Sequence, residues 1–260
     1  MEMLLAIPFG LAIGAVVGTV GGGGAILALP VLVYVLDQGV SSASTASLIV
    51  VAVAASVAAG SQARDGHVCW RVALIFSVPA AAGAYAGTVA NGAVSAQGLI
   101  LAFVPVMLTA ALLTYRRGDD PGSAEVLDSC PEPSVARAAG AGVVVGSMTG
   151  FFGVGGGFLI VPALTLLLGL GMRRAIATSL AIITLTGAVA LISHLARGAD
   201  PDWPLTIVLA GSAAVGALGG SALGRRVPVE TLARAFAVVV AVVAVFLLVD
   251  VLALGGPPVG

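Results

Sequence analysis

Long apolar segments separated by short polar turns dominate the chain. Ten such segments follow one another, at about residues 3–20, 25–36, 42–60, 72–90, 97–115, 136–152, 158–168, 175–195, 205–223 and 235–254. Many of them approach the roughly 20 residues that a membrane-spanning helix needs. Because a backbone that faces lipid must satisfy its hydrogen bonds within the segment, we predict that every segment is helical and that this is an all-α membrane protein.

One polar stretch interrupts the pattern near the middle of the chain. Residues 116–135 contain five acidic residues and three prolines, a composition typical of a solvated linker. The linker divides the chain into a first half, residues 1–115, and a second half, residues 136–260. We predict that each half is a transmembrane unit and that the linker is cytoplasmic.

The two halves resemble each other in sequence. A shift of 132 residues, without a gap, superimposes eleven identical residues between Gly18 and Leu48 on the stretch from Gly150 to Leu180. The matches include a glycine cluster, a proline six residues after it and a Ser-Leu pair in register. This pattern predicts an internal duplication.

The arginines predict how the two repeats are oriented, since basic residues favour the cytoplasmic side. Eight simple spans would divide the eleven arginines six to five between the two sides. If residues 3–36 and 136–168 instead turn back at their glycines as hairpins, ten arginines lie in the cytoplasm and only Arg197 lies outside. Each repeat is then a glycine-broken helical hairpin plus three transmembrane helices, and the odd number of crossings inverts the second repeat. Both termini would lie outside, and eight simple spans remain the alternative.

Composition and charge limit the classes of function. The chain is 59% hydrophobic and 9% charged, and its mean hydropathy of +1.15 excludes a water-soluble globule. A net charge of −1 gives no reason to expect a nucleic-acid partner. Cys69 and Cys130 stand alone, so we interpret them as incidental thiols and expect neither a disulfide framework nor a metal site. No cofactor is predicted, and the first apolar segment lacks the positive start of a signal peptide, so we expect it to remain in the mature protein.

Two glycine clusters are the first candidates for a binding site. They stand where one apolar helix stops and the next begins, and the residues that we expect to bind a substrate there are Gly22, Gly23, Gly24, Gly155, Gly156 and Gly157. Glycine allows close approach of the backbone to a ligand, and the unpaired N–H groups of a helix start favour an anion. The alternative is that the clusters only permit close helix packing, which is the interpretation that we prefer for the spacings around Gly10 to Gly18.

Polar side chains in the following helices add to these candidates. Ser47 and Ser179 coincide in the duplication, and Thr178 lies beside Ser179; hydroxyls can donate to an oxyanion without the cost of a buried charge. Alternatively, they bond to their own helix backbone. His194 is the only ionisable residue inside a predicted span and could couple protons to anion movement, although its place near the interface also suits a merely polar role. His67 lies in an arginine-rich loop and is expected to be solvated.

At these residues the chain resembles the TauE/SafE family of sulfite exporters, also called TSUP or DUF81. The resemblance rests on Gly18-Thr-Val-Gly-Gly-Gly-Gly-Ala-Ile-Leu-Ala-Leu-Pro30, on its counterpart from Gly150 to Pro162, and on Ala-Thr-Ser-Leu from Ala177 to Leu180. The first repeat has Thr-Ala-Ser-Leu instead, so a role of Thr178 transfers poorly to Ala46. Membership would imply secondary transport of sulfite, sulfonates or related sulfur-containing or organic anions.

The sequence therefore favours a multi-pass secondary transporter of a small anion in the plasma membrane, with the lipid bilayer and the anion as its partners. No nucleotide-binding G-x-x-x-x-G-K-[ST] loop occurs, so the alternative is the membrane subunit of a complex that a separate ATPase drives. An intramembrane enzyme would need a paired nucleophile and base, or a motif such as H-E-x-x-H, and neither is present. The oligomeric state is not predicted.

Overall fold

The computed structural model describes residues 2–22, 25–91, 96–118, 130, 134–152, 157–196 and 201–253. All regular structure in these ranges is helical, and the helices are α1 (Glu2–Val20), α2 (Ala25–Pro30, continued by the π-helical turn Val31–Val35), α3 (Val40–Arg64), α4 (Trp70–Asn91), α5 (Ala96–Gly118), α6 (Val135–Phe152), α7 (Gly157–Leu166), α8 (Met172–Ala196), α9 (Trp203–Arg226) and α10 (Val229–Ala253). The predicted all-helical class is confirmed for this part of the chain.

Three helices in the described ranges are long and apolar enough to cross a membrane, namely Ser42–Arg64, Met172–Ile192 and Trp203–Arg226. Large apolar side chains also cover the outside of the bundle: Val78 is 74% exposed, Ile192 69% and Ile207 66%. Exposure of so much apolar surface is unfavourable in water. These faces suit lipid as their solvent.

Small residues hold the bundle together. α1 packs along α9, and α6 packs along α4. A Cβ atom added to Gly14 would lie 2.8 Å from the Cα atom of Ala213, and one added to Gly146 would lie 2.7 Å from the Cα atom of Ala80. Since lipid tails are as apolar as leucine, helices in membranes associate through such close backbone contact. The packing role expected for the glycines around Gly10 to Gly18 is confirmed.

The helix pairs connect the two halves of the chain in a reciprocal way. The first helix of each half packs on the fourth long segment of the other half, while α3 pairs with α8 and α5 pairs with α10. The contact residues also correspond: Gly216 and Gly220 face Leu11 and Ala15, whereas Gly83 and Gly87 face Val143 and Ser147. The neighbours in α1 and α6 are 132 residues apart in sequence.

Chain direction follows from these contacts. α1 and α9 run parallel, and the backbone N of Asp202 lies 3.3 Å from Oγ of Ser42, so α1, α3 and α9 all start at one end of the bundle, called here the Asp202 end. α6 and α4 also run parallel, and Nη1 of Arg174 donates to the carbonyl of Gly66 over 3.2 Å. α4, α6 and α8 therefore start at the opposite end, called the Arg225 end. Residues 2–39 leave and return to the first end, and residues 135–171 leave and return to the second.

Matching turns close the two glycine-broken segments. Asp37 and Gly169, which are 132 residues apart, have φ angles of 48° and 71°. One residue later, the N–H of Gln38 donates to Leu32 over 3.0 Å, and the N–H of Leu170 donates to Leu164 over the same distance. Bonds of this spacing with a left-handed residue form the Schellman motif that ends a helix. The repeat in sequence is thus accompanied by the same local structure.

The close packing of α4 and α6 gives a direct test of this fold. We expect Gly146→Val to destabilise the protein by about 1–3 kcal/mol or more, because its side chain must displace the α4 backbone. Gly140 is the matched control, since it lies in the same helix with no atom within 4 Å of an added Cβ. The melting temperatures of both variants in detergent measure the effect, and equal values for the two would contradict the packing.

Candidate functional site

The two glycine breaks meet inside the bundle. A Cβ atom added to Gly157 would lie 2.8 Å from the Cα atom and 2.9 Å from the carbonyl oxygen of Gly22. Conversely, a Cβ atom on Gly22 would overlap the carbonyl oxygen of Gly157. Backbone therefore packs on backbone at this point, and neither position has room for a side chain.

Gly21 turns the chain at the first break. Its φ angle of +77° lies in the left-handed region that glycine adopts without strain. Its neighbours are side chains of the second half: an added Cβ would lie 2.8 Å from Oγ of Ser179 and 3.4 Å from Ile176 and Val161. Ser179, predicted as a substrate ligand, thus lies beside the first glycine break although it belongs to the second repeat.

α7 begins at the contact between the breaks. All residues from Gly157 to Thr165 are buried, so the helix starts within the protein rather than at its surface. The first N–H groups of a helix have no partner in the helix itself and carry its positive dipole end. The start of α7 therefore offers hydrogen-bond donors at the meeting point of the two halves.

The two predicted serines have equivalent surroundings. Ser47 donates to the carbonyl of Ser44, and Ser179 donates to the carbonyl of Ile176, both over 2.8 Å. Ser179 is fully buried, whereas Ser47 is half-buried. Both hydroxyl protons are directed to their own helix, which is the alternative that the sequence left open. A χ1 rotation is needed before either serine donates to an anion.

Thr178 makes a different contact. Its hydroxyl oxygen accepts a hydrogen bond of 3.1 Å from the backbone N–H of Cys69, and both residues are buried. Cys69 immediately precedes α4, so the bond joins the start of α4 to α8. Thr178 has a structural partner here, next to Ser179.

The two cysteines correct a prediction. Cys69 and Cys130 form a disulfide bond, with their Cα atoms 5.6 Å apart, so the interpretation as incidental thiols is wrong. They are 61 residues apart in sequence, and only the fold brings this point of the linker to the start of α4. Nη1 of Arg174 lies 3.4 Å from Sγ of Cys130.

Several predicted site residues lie outside the described part of the chain. Gly23, Gly24, Gly155 and Gly156 belong to this group, and so does the side chain of His194, whose backbone lies in α8. Among the described residues, no cluster of three or more histidine, cysteine, aspartate or glutamate side chains could hold a metal ion. The described site contains backbone amides and hydroxyls.

Sequence reasoning missed a polar cavity at the Arg225 end. Its lining includes Gln62, His67, Arg173, Ile176 and Arg225. His67 was expected to be solvated, but its Nδ1 atom is buried without a hydrogen-bond partner, so that expectation is wrong. The loop after α3 folds back, with the N–H of His67 donating to the carbonyl of Gln62 over 3.1 Å. The pairing of Gln62 with His194 in the duplication was the only sequence signal near this cavity.

Comparisons with known proteins agree with this architecture. A family model described as "Sulfite exporter TauE/SafE" matches residues 6–247. A "Probable membrane transporter protein" of Xylella fastidiosa (strain 9a5c) is 32% identical over 260 residues, which cover 95% of each chain. The "Probable membrane transporter protein YunE" of Bacillus subtilis (strain 168) is 27% identical over 252 residues, covering 89% of this chain and 92% of its own. No solved structure matches the chain significantly.

The bond between Thr178 and Cys69 predicts a difference between two substitutions. Thr178→Val should lower the melting temperature in detergent, because the buried N–H of Cys69 loses its acceptor at a cost of about 1–3 kcal/mol. Thr178→Ser retains the hydroxyl and serves as the control. A valine variant as stable as the serine variant would show that this bond contributes nothing.

Proposed function

Because this chain belongs to the sulfite exporter TauE/SafE family, we propose that it is a secondary transporter of a small anion, such as sulfite, a sulfonate or a related sulfur-containing or organic anion. The family consists of probable membrane transporters, not enzymes, and such a protein works in a lipid bilayer. The plasma membrane is the proposed location, with several spans. The substrate class and the site are parts of the proposal.

The contact between Gly22 and Gly157 carries the proposal. Two chain breaks from different halves meet there, and α7 starts at the same point with unpaired N–H groups. Transporters commonly bind their substrates where such broken helices meet between repeats. Backbone donors suit an anion, because they stabilise negative charge without placing a permanent positive charge in the membrane.

We assign the substrate to the backbone of both glycine clusters and to the neighbouring hydroxyls. The proposed ligands are Gly22, Gly23, Gly24, Ser47, Gly155, Gly156, Gly157, Thr178 and Ser179. In the observed arrangement Gly22 and Gly157 are in contact, so an anion needs the two breaks to separate. A movement of the halves against each other would open the site. His194 is proposed to couple this movement to protons.

The proposed architecture is a pair of inverted repeats joined by a cytoplasmic linker, residues 1–115 and 136–260. Two observations support it. Residues 2–39 return to the Asp202 end and residues 135–171 to the Arg225 end, and the first helix of each half packs on the other half. Arginines follow the same division, since Arg64, Arg174 and Arg225 lie at the Arg225 end. That end is therefore assigned to the cytoplasm.

Transport by purified protein tests the proposed function. In proteoliposomes loaded with unlabelled anion, we expect counterflow of sulfite or a sulfonate in preference to a carboxylate, and a response to a pH gradient if protons are coupled. Gly157→Ala should reduce this exchange at least tenfold, because the methyl group would press on the backbone of Gly22.

Gly187→Ala is the matched control for this experiment. An added Cβ at Gly187 meets Ala52 only at an ordinary distance of 3.4 Å, so exchange should remain near that of the wild type. Normal exchange by the Gly157→Ala variant would remove the glycine breaks from the site. Absence of exchange for every anion tested would refute the transport of such anions altogether.

Cysteine labelling tests the orientation. In a Cys69→Ser, Cys130→Ser background, Gly39→Cys should react with a membrane-impermeant maleimide added to intact cells, whereas Asp119→Cys in the linker should react only after permeabilisation. The reverse result would turn the protein over. Because the cytoplasm keeps most thiols reduced, the proposed orientation also implies that Cys69 and Cys130 pair only on oxidation.

A further inference from the structure

A cavity opens at the Arg225 end of the bundle, where α3 and α9 end and α8 begins. It contains about 270 Å³ of empty space, part of which is open to solvent. We call it the arginine cavity and define it by Gln62, His67, Arg173, Ile176 and Arg225. It is separate from the contact of the glycine breaks, because neither Gly22 nor Gly157 lines it.

The charge of the arginine cavity is positive. Arg173 and Arg225 line it, and the only acid bonded to either of them in the described part of the chain is Asp65, whose Oδ2 atom lies 2.9 Å from Nη1 of Arg225. The two side chains of this ion pair are 37% and 38% exposed. Exposed ion pairs contribute little, so Arg225 can leave Asp65 for another anion at small cost.

Both guanidinium groups keep donors for a ligand. Arg173 donates through Nη1 to the carbonyl of Arg225 and through Nη2 to that of Val227, each over 2.8 Å. Arg225 donates only through Nη1, to Oγ of Ser61 and to Asp65. Since a guanidinium has five N–H groups, two are used in each case, and three per arginine remain within the described structure.

Neutral polar groups complete the cavity. Gln62 is only 7% exposed although it lines the cavity, and the buried Nδ1 atom of His67 has no partner. Buried polar groups in native proteins are normally paired. An unpaired imidazole nitrogen next to a buried amide and two arginines indicates that the cavity receives a polar ligand.

The cavity borders on the first glycine break. Ile176 lines it, and Cγ2 of the same side chain is 3.4 Å from a Cβ atom placed on Gly21. Thr19, two residues before Gly21, also lines it. An anion in the arginine cavity is therefore separated from the break by little more than the side chain of Ile176.

We propose that the arginine cavity is an anion-docking site, in which Arg173, Arg225, Gln62 and His67 bind a small oxyanion at the Arg225 end before it reaches the glycine breaks. Asp65 competes with the oxyanion for Arg225 and holds this arginine when the cavity is empty. The proposal rests on the proposed function for its role in transport, while binding of the oxyanion can be measured independently.

The test is equilibrium binding of sodium sulfite and sodium sulfate to the purified full-length protein at constant ionic strength. Binding is measured as the rise in melting temperature with anion concentration. Arg225→Gln should raise the Kd about tenfold, the size expected for the loss of a charge-assisted hydrogen bond. Arg226→Gln is the control, because it removes the same charge from an exposed neighbour that does not line the cavity.

Asp65→Asn separates docking from a structural ion pair. If Asp65 competes with the anion, this variant should lower the Kd, whereas a merely structural pair would make both variants weaker. Gln62→Leu should raise the Kd severalfold without changing any charge. The proposal is overturned by equal Kd values for the Arg225 and Arg226 variants, by weaker binding of the Asp65 variant, by no binding of either oxyanion, or by stabilisation with phosphatidylglycerol alone, which would identify a lipid site.

Transport by the same variants distinguishes this inference from the proposed function. In proteoliposomes, Arg225→Gln should raise the KM for the anion about tenfold and leave the maximal rate largely unchanged, because docking is weakened and the glycine breaks are intact. Absence of transport in the wild type, together with the predicted order of Kd values, would refute the transport of these anions and retain the docking site. Normal wild-type transport with a KM unaffected by Arg225→Gln would do the reverse.

Discussion

The two halves of the chain meet at a point where neither has a side chain, and the rest of the architecture depends on this contact. At Gly22 and Gly157 the backbones are so close that a single added carbon would clash. A chain break inside a membrane protein leaves N–H and carbonyl groups without helical partners, which lipid cannot satisfy. Such a break is tolerated only where protein, or a ligand, surrounds it on all sides. The two breaks therefore have to be enclosed by the bundle, and each encloses part of the other.

Glycine-lined helix pairs provide this enclosure. α1 on α9 and α6 on α4 approach closely because small residues such as Gly14 and Gly146 leave room for the opposing backbone. In both pairs the first helix of one half lies on the other half, so neither half can place its own break without its partner. The buried start of α7 is a consequence of this exchange. Close packing and the breaks are thus two uses of the same residue type, one between helices and the other at their ends.

Sequence predicted what is encoded locally. Apolar segments and the glycine clusters were recognisable because hydropathy and helix breaks depend on neighbours along the chain. The partners of α1 and α6 could not be predicted, because small residues are spread through all segments and do not specify a partner. The bond between Cys69 and Cys130 depends on folding across 61 residues. The environment of His67 depends on how one loop turns back on Gln62. The hydroxyl of Ser179 could donate to a ligand or to Ile176, and only its rotamer decides between them.

The positions of charge and of backbone donors are different, and the physics of the membrane explains why. Arginine is expensive at the bilayer centre but not at its surface, and Arg173 and Arg225 lie at helix ends where water reaches them. Backbone N–H groups carry no net charge, so they can be buried at the breaks at lower cost. A permanent charge at the contact of Gly22 and Gly157 would also hold an anion too tightly to release it. An anion that passes from the surface to the centre therefore exchanges strong, solvated partners for weaker, buried ones, which favours its continued movement over trapping.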